Sequence, residues 1–349
     1  MAGARDGGGW GRNSMLECAA MPLRTLVIDT DPGVDDAIAL LVAASSPEVE
    51  LRAVTAVFGN VSVAQTTENA LRILALAGAG EIPVAAGAQH PLVQLRQHRA
   101  SHIHGPNGLG GVELPPAERR AEEAAAVPFL ADLLHAAAGP VTVCAIGPLT
   151  NLALLIGTDP AAAARIDRLV IMGGSYATGD VPSTPEFNIS SDPEAAHRVL
   201  SSGLPITVVG LDVSRKVALD AAAIARIGAS GSVGSAAAAM LAYRTDSRVR
   251  VQGGPGAVLH DALAVLEAIT PGILGTVDRG VSVDCGHGPG RGRTSVDRPA
   301  EPASGVGISP GDTVMAQLTE AVAPVWVAEI VDVPRAVTEI EARLCSYGH

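Results

Sequence analysis

The stretch RTLVIDTDPGVDDAIALLVAAS, residues 24–45, decides the fold. RTLVI (24–28) reads as a buried first strand, because β-branched and leucine side chains follow one another without a polar break. Pro32 and Gly33 then force a sharp turn. DDAIALLVAAS (35–45) continues as a helix rich in alanine and leucine. A strand that turns at once into a helix is half of a βαβ unit, and the rest of the chain repeats it.

Outward from this unit, ELRAVTAVFGN (50–60) is a second strand ending in a Gly-Asn turn, followed by a helix over 63–78 and a short strand over 82–87. The pattern resumes with helices over 124–138, 150–157 and 193–202, and with strands over 140–147, 168–174 and 205–210. A further helix is expected over 258–269, and further strands over 276–285 and 325–332. The fold class is α/β: a single domain with a mostly parallel, doubly wound, Rossmann-like central sheet flanked by helices. Residues 1–22 are read as a disordered N-terminal extension, with one domain over 23–346. The segment 88–119 and the Gly/Pro/Arg-rich 286–311 break the rhythm as long loops, and a loop that long is usually functional or disordered.

A formal net charge of -12 over 349 residues lacks the basic surface that phosphate neutralisation needs, so nucleic acid is excluded as a partner. No apolar run reaches the ~20 residues of a membrane span, so no membrane partner is expected. Cys18, Cys144, Cys285 and Cys345 show no zinc or disulfide spacing and read as thiols in a reducing cytoplasm.

In a doubly wound sheet, ligands bind beyond the carboxyl ends of the strands. There the opening stretch places Asp29, Asp31, Asp35 and Asp36 within eight residues. Carboxylates this close repel one another unless a positive partner lies between them. Helix capping accounts for one of them at most. An all-oxygen donor set calls for a hard cation, calcium or magnesium. An EF-hand loop is ruled out: counted from Asp29, Val34 and Leu40 stand where it needs Gly and Glu. A strand followed by Asp-x-Asp also suits a Mg²⁺ phosphatase with Asp29 as nucleophile. That chemistry wants a phosphate-holding cation, for which the sole lysine, Lys216, is the candidate.

DTDPGVDDA (29–37) resembles the N-terminal signature of the calcium-dependent nucleoside hydrolases, the inosine-uridine preferring family. The resemblance continues in order through FGN (58–60), HGPNGLGG (104–111), AIGPLTN (145–151), MGG (172–174), PEFNISSDPEAA (185–196) and HDALAV (260–265), over about residues 24–335. It implies an N-ribohydrolase of the EC 3.2.2 type, which splits ribonucleosides into ribose and free base with Ca²⁺ as cofactor. Asp31, Asp36, Asp261 and the Ile146 carbonyl are then the protein ligands of the ion. Asp31 doubles as base toward the attacking water, and His260 protonates the leaving base. Asp35 accepts from the ribose 2′-hydroxyl, while Asn60, Glu186 and Asn188 hold the other hydroxyls. Met172 packs under the ribose, and His104 approaches the base or the 5′ end. Asp29 is left to support the turn.

Tyr176, Phe187 and Tyr243 are the aromatic residues nearest this site in sequence, with Phe187 expected at the substrate. Aromatic residues make up 2% of the chain, and Trp10 and Trp326 lie far from these motifs, which disfavours a purine held between tryptophans. The chain departs from the family at Asp180, where an asparagine that contacts the ribose 5′-hydroxyl is usual. A carboxylate can accept that hydroxyl's hydrogen bond but cannot donate one. A relative that binds nucleosides without cleaving them is the other alternative. Recognition of the base falls to loops around 90–110 and 215–255. The family's members commonly form homodimers or homotetramers.

Overall fold

The computed structural model describes residues 23–94, 99–176, 185–251, 256–297 and 325–348. Its centre is an eight-stranded sheet in the order β3-β2-β1-β4-β5-β6-β12-β9. These strands are β1 (Arg24–Thr30), β2 (Val49–Ala56), β3 (Val84–Ala86), β4 (Val141–Ala145), β5 (Ile166–Met172), β6 (Ile206–Val209), β9 (Leu274–Arg279) and β12 (Val325–Val331). Two small antiparallel pairs stand apart from it, β7 (Ala218–Leu219) with β8 (Ala257–Val258) and β10 (Val281–Val283) with β11 (Thr294–Val296). All neighbours in the large sheet run parallel except β9, which pairs antiparallel with β12.

Alternation along β1 builds both layers of the core. Leu26 and Ile28 face a cluster containing the helices Val34–Ala44 and His260–Ile269, whereas Val27 faces the opposite cluster, with the helices Ala126–Ala136 and Thr150–Thr158. With helices on both faces, the central strands are apolar nearly throughout. The chain steps outward from β1 to β2 and β3 and then returns to β4 on the other side of β1. The strand order therefore reverses between β1 and β4, the place where such sheets open a crevice for ligands.

The predicted βα rhythm is present, with three corrections. The helix expected from 258 begins at His260, because Ala257 and Val258 pair with β7. The strand expected over 276–285 breaks at Gly280, whose carbonyl accepts from the Asp297 amide at 2.9 Å, leaving β9 and β10 as separate pieces. The described part of 215–255, up to residue 251, is largely helical: it carries the helices Ala221–Gly228, capped by Asp220 accepting from the Ala223 amide, and Ser232–Val251. A C-terminal helix, Val333–Cys345, was also unforeseen. Residues 1–22 lie outside the described residues, as do 298–324 of the Gly/Pro/Arg-rich segment. Among the described residues no helix is long and apolar enough to cross a membrane.

Asn151, at the start of the helix Thr150–Thr158, ties the reversal point together. Its Nδ2 donates to Asp29 Oδ1 at 2.7 Å and to the Ala56 carbonyl at 3.1 Å, and its Oδ1 accepts from the Ala88 amide at 2.9 Å. Replacing Asn151 by Ala strands these buried groups. The expected loss is about 3 kcal/mol of stability, read as a lower urea midpoint with an unchanged m value.

Candidate active site

The turn after β1 delivers its aspartates to different tasks. Asp29 is fully buried within the strand, and its Oδ1 accepts from Thr55 Oγ1 at 2.5 Å and from Asn151. It secures β1 to β2 and to the helix beyond β4, as the supporting role anticipates. Burial raises its pKa to about 6, against the hydrogen bonds from Asn151 and Thr55.

Asp36 caps the helix Val34–Ala44 by accepting from the Gly33 amide at 2.9 Å. It also accepts from Thr30 Oγ1 at 2.7 Å and from Asn60 Nδ2 at 3.1 Å. Asp31 Oδ2 accepts from the Asn60 amide at 2.7 Å, while buried Oδ1 has no hydrogen-bond partner among the described residues. Two glycines from neighbouring strand ends leave room for this carboxylate. A Cβ built on Gly59 would fall on Asp31 Oδ2, and one on Gly147 would come within 2.7 Å of Oδ1.

Asp261 arrives from the far side, in the first turn of the helix His260–Ile269. Asp35, Asp36 and Asp261 can each present an oxygen within 4.8 Å of the others. Burial, then the charges of Asp36 and Asp35, raise the Asp31 pKa well above the ordinary carboxylate value. Burial and neighbouring carboxylates do the same for Asp261, and they bring Asp36 to about 6. Asp35 goes the other way. Burial works to raise it, but Arg244, His104 and His260 together hold it below the ordinary value. Buried carboxylates crowded to this degree, with one orphaned oxygen beside them, are suited to holding a metal ion. The residues present fit the hard cation that the acidic cluster calls for.

The remaining predicted residues line one cavity of about 340 Å³ with Asp35 and Asp261. Asn60, His104, Ile146, Met172, Glu186, Phe187, Asn188 and His260 all contribute to its wall. Asn188 Nδ2 donates to the Ile146 carbonyl at 2.9 Å and to the Met172 carbonyl at 3.2 Å, bridging the ends of β4 and β5. Glu186 caps the short helix Phe187–Ser191 by accepting from the Asn188 and Ile189 amides. Asp180 lies outside the described residues. Of the other aromatic residues, Tyr243 packs on Gly110, and Trp326 sits half-exposed on β12, away from the cavity wall.

His104 sits 3.7 Å from Asp35, yet the two do not form an ion pair. Its Nδ1 accepts from the Val34 amide at 2.9 Å, and burial lowers its pKa to about 4, so the ring is neutral and carries its proton on Nε2. His260 Nδ1 lies 2.9 Å from the hydroxyl of fully buried Ser214.

Sequence reasoning missed Ser214, His102, Arg215 and Arg244. Ser214 touches His260, and the other three reach the cavity wall. His102 stands in the HIHG run beside His104, a visible signal. Ser214, Arg215 and Arg244 come from segments whose helices were not recognised.

The phosphatase alternative is not favoured by this arrangement. Asp29, its nucleophile, is fully buried with one oxygen engaged, and exposed Lys216 is absent from the cavity wall.

The family model described as inosine-uridine preferring nucleoside hydrolase matches residues 26–337. The chain is 40% identical over 258 residues to uridine nucleosidase 1 of Arabidopsis thaliana, covering 73% of this chain and 76% of that protein. It is 41% identical over 277 residues to the pyrimidine-specific ribonucleoside hydrolase RihA of Salmonella enteritidis, covering 78% and 88%. The solved structure of a purine-preferring ribonucleoside hydrolase from Gardnerella vaginalis superposes with a TM-score of 0.82 at 33% identity, over 93% of this chain and 99% of that one. With its acidic cluster at the reversal point of the sheet and matches of this extent, the chain belongs to the inosine-uridine preferring nucleoside hydrolases, enzymes that hydrolyse the N-glycosidic bond of ribonucleosides.

Proposed function

We propose that the chain is a calcium-dependent hydrolase of pyrimidine ribonucleosides such as uridine. The observation that carries the reading is the convergence of the Asp35, Asp36 and Asp261 carboxylates, two of which line a nucleoside-sized cavity, with a buried, orphaned Asp31 oxygen behind them. The names of the Arabidopsis and Salmonella relatives support the pyrimidine preference.

Asp31, Asp36, Asp261 and the Ile146 carbonyl would hold the Ca²⁺. When bound, that ion would fix the ribose diol and orient a water toward C1′. The protein's own groups account for the rest. Asp35 accepts the 2′-hydroxyl, and Asn60, Glu186 and Asn188 hold the sugar's other hydroxyls. Asp31 takes a proton as the water oxygen bonds to C1′. The C1′–N bond breaks with its electron pair going to the base, and His260 Nε2 supplies a proton there. The oxocarbenium character that develops at C1′ lies close to the carboxylates, which stabilise it.

Base release from uridine, cytidine, inosine and adenosine, with and without a chelator, tests the proposal. Uridine cleavage should stop on chelation and return with calcium; no base release from any nucleoside would overturn it. Replacing His260 by Ala should lower kcat on uridine by about 10²- to 10⁴-fold. The loss should be much smaller on p-nitrophenyl riboside, whose phenolate departs without a proton. Ser214→Ala, which removes one hydrogen bond to the imidazole, should show the same pattern with about a tenfold loss.

This reading also places the chain in the cytoplasm as a homodimer or homotetramer, a state that sedimentation would establish.

A further inference from the structure

Arg244 has no part in the reaction as derived above, yet it reaches into the acidic site. Its Nη2 lies 3.3 Å from Asp35 Oδ2, and both side chains are nearly buried. Arg244 sits on the helix Ser232–Val251, apart from the helix first turns that supply Asp35, Asp36 and Asp261. The preceding residue, Tyr243, packs on Gly110 so closely that a Cβ there would come within 2.7 Å of the ring. The Gly110 amide in turn donates to the His104 carbonyl at 2.8 Å. Arg244 and His104 are therefore delivered to Asp35 together.

Distance alone would make Asp35 a metal ligand, since its oxygens lie as close to Asp36 and Asp261 as a shared cation requires. Charge argues otherwise. A carboxylate already paired with a guanidinium is a poorer ligand for a divalent cation, because the guanidinium repels the ion. It still accepts a hydrogen bond from a neutral hydroxyl through its remaining lone pairs. Asp31, by contrast, offers an oxygen that no protein donor occupies.

We propose that Arg244 divides the acidic cluster: by pairing with Asp35 it withholds that carboxylate from the cation and keeps it for the ribose 2′-hydroxyl. The inference rests on the reading above, in which calcium and ribose share this cluster. Arg244 is thus a positioning residue. Its removal moves the two affinities in opposite directions. Asp35 swings to the ion, calcium binds more tightly, and the 2′-hydroxyl loses its acceptor. A residue that merely braced the pocket would weaken both.

The test uses the full chain and Arg244→Gln, with calorimetric titration of CaCl₂ in the absence of nucleoside. Kinetics on uridine and 2′-deoxyuridine at saturating calcium complete it. The Gln variant should bind calcium about tenfold more tightly, as the loss of one nearby positive charge implies. Its KM for uridine should rise about tenfold while that for 2′-deoxyuridine hardly moves, narrowing the preference for the ribonucleoside. Arg244→Lys, which keeps the charge, should return calcium affinity to the wild-type value. Unchanged or weaker calcium binding in the Gln variant, or equal losses on both substrates, would overturn the inference while leaving the proposed function standing. A wild-type chain that takes up no calcium would overturn both.

Discussion

Replacing Asp31 by Asn should lower kcat for uridine by about 10⁴-fold, the upper range for loss of a positioned base, without loss of fold. The amide cannot take a proton from water, and it removes one anionic ligand from the cluster. Its carbonyl can still accept from the Asn60 amide, so the local backbone keeps its hydrogen bond. Burial and the charges of Asp36 and Asp35 already oppose ionisation of Asp31, so a neutral isostere should leave the melting temperature of the metal-free chain unchanged or higher. Steady-state base release and thermal denaturation check the two halves. A loss of less than tenfold would remove Asp31 from the reaction.

Calcium should stabilise the chain far more at pH 8 than at pH 5. In the metal-free protein, burial raises Asp29 and Asp36 to about 6, and Asp31 and Asp261 are raised well above the ordinary value. Unfolded, these groups titrate near 4. The folded chain therefore binds more protons, and the stability these four contribute is full below about pH 4 and is lost as pH rises through about 6 and beyond. Asp35, held below the ordinary value, contributes in the opposite sense, over a window below pH 4. Above about pH 6 Asp29 and Asp36 ionise, the cluster becomes more self-repelling, and a bound cation would relieve that repulsion. At a thousandfold excess over Kd, binding adds about 4 kcal/mol. At pH 5 protons compete for the same oxygens, and much of the gain disappears. Melting temperatures with calcium and with chelator at the two pH values are the measurement. Equal shifts at both would contradict the assignment of these carboxylates to a cation.

The parts of this molecule legible in its sequence share one cause: local chemistry with no tolerance for substitutes. Four aspartates around Pro32 and Gly33 admit few readings, and uninterrupted Val/Ile/Leu runs mark strands covered on both faces. The helix Ser232–Val251 escaped because the alanines at 236–239 blur the face that Val233, Ala237, Met240 and Leu241 bury. It opens with Ser232, Val233, Gly234 and Ser235, and Arg244, Arg248 and Arg250 interrupt its second half. Arg244 escaped with it, since its meaning lies in a contact 209 residues away in sequence. The helix Val333–Cys345 was readable: Asp332 caps it, Pro334 stands in its first turn, and Ala336, Ile340 and Leu344 repeat at intervals of four. The long segment 88–119, which reads as functional or disordered, brings Ala100, His102, Ile103 and His104 to the cavity wall.

Gly59 and Gly147 give the site an unusual relation to mutation. Each leaves a space, a single methyl group in size, that the Asp31 carboxylate fills. Every codon change that replaces a glycine adds at least that methyl, so neither position has a neutral neighbour in sequence space. At Gly59 the damage would fall on the Asp31 carboxylate alone, and at Gly147 chiefly on it, with a lesser crowding of Val57. A variant library screened for solubility or thermostability would therefore pass alanines at both positions that a screen for base release would reject. Agreement between the two screens elsewhere in the chain, and disagreement at these two residues, would tie base release to the carboxylate they seat without a ligand ever being bound.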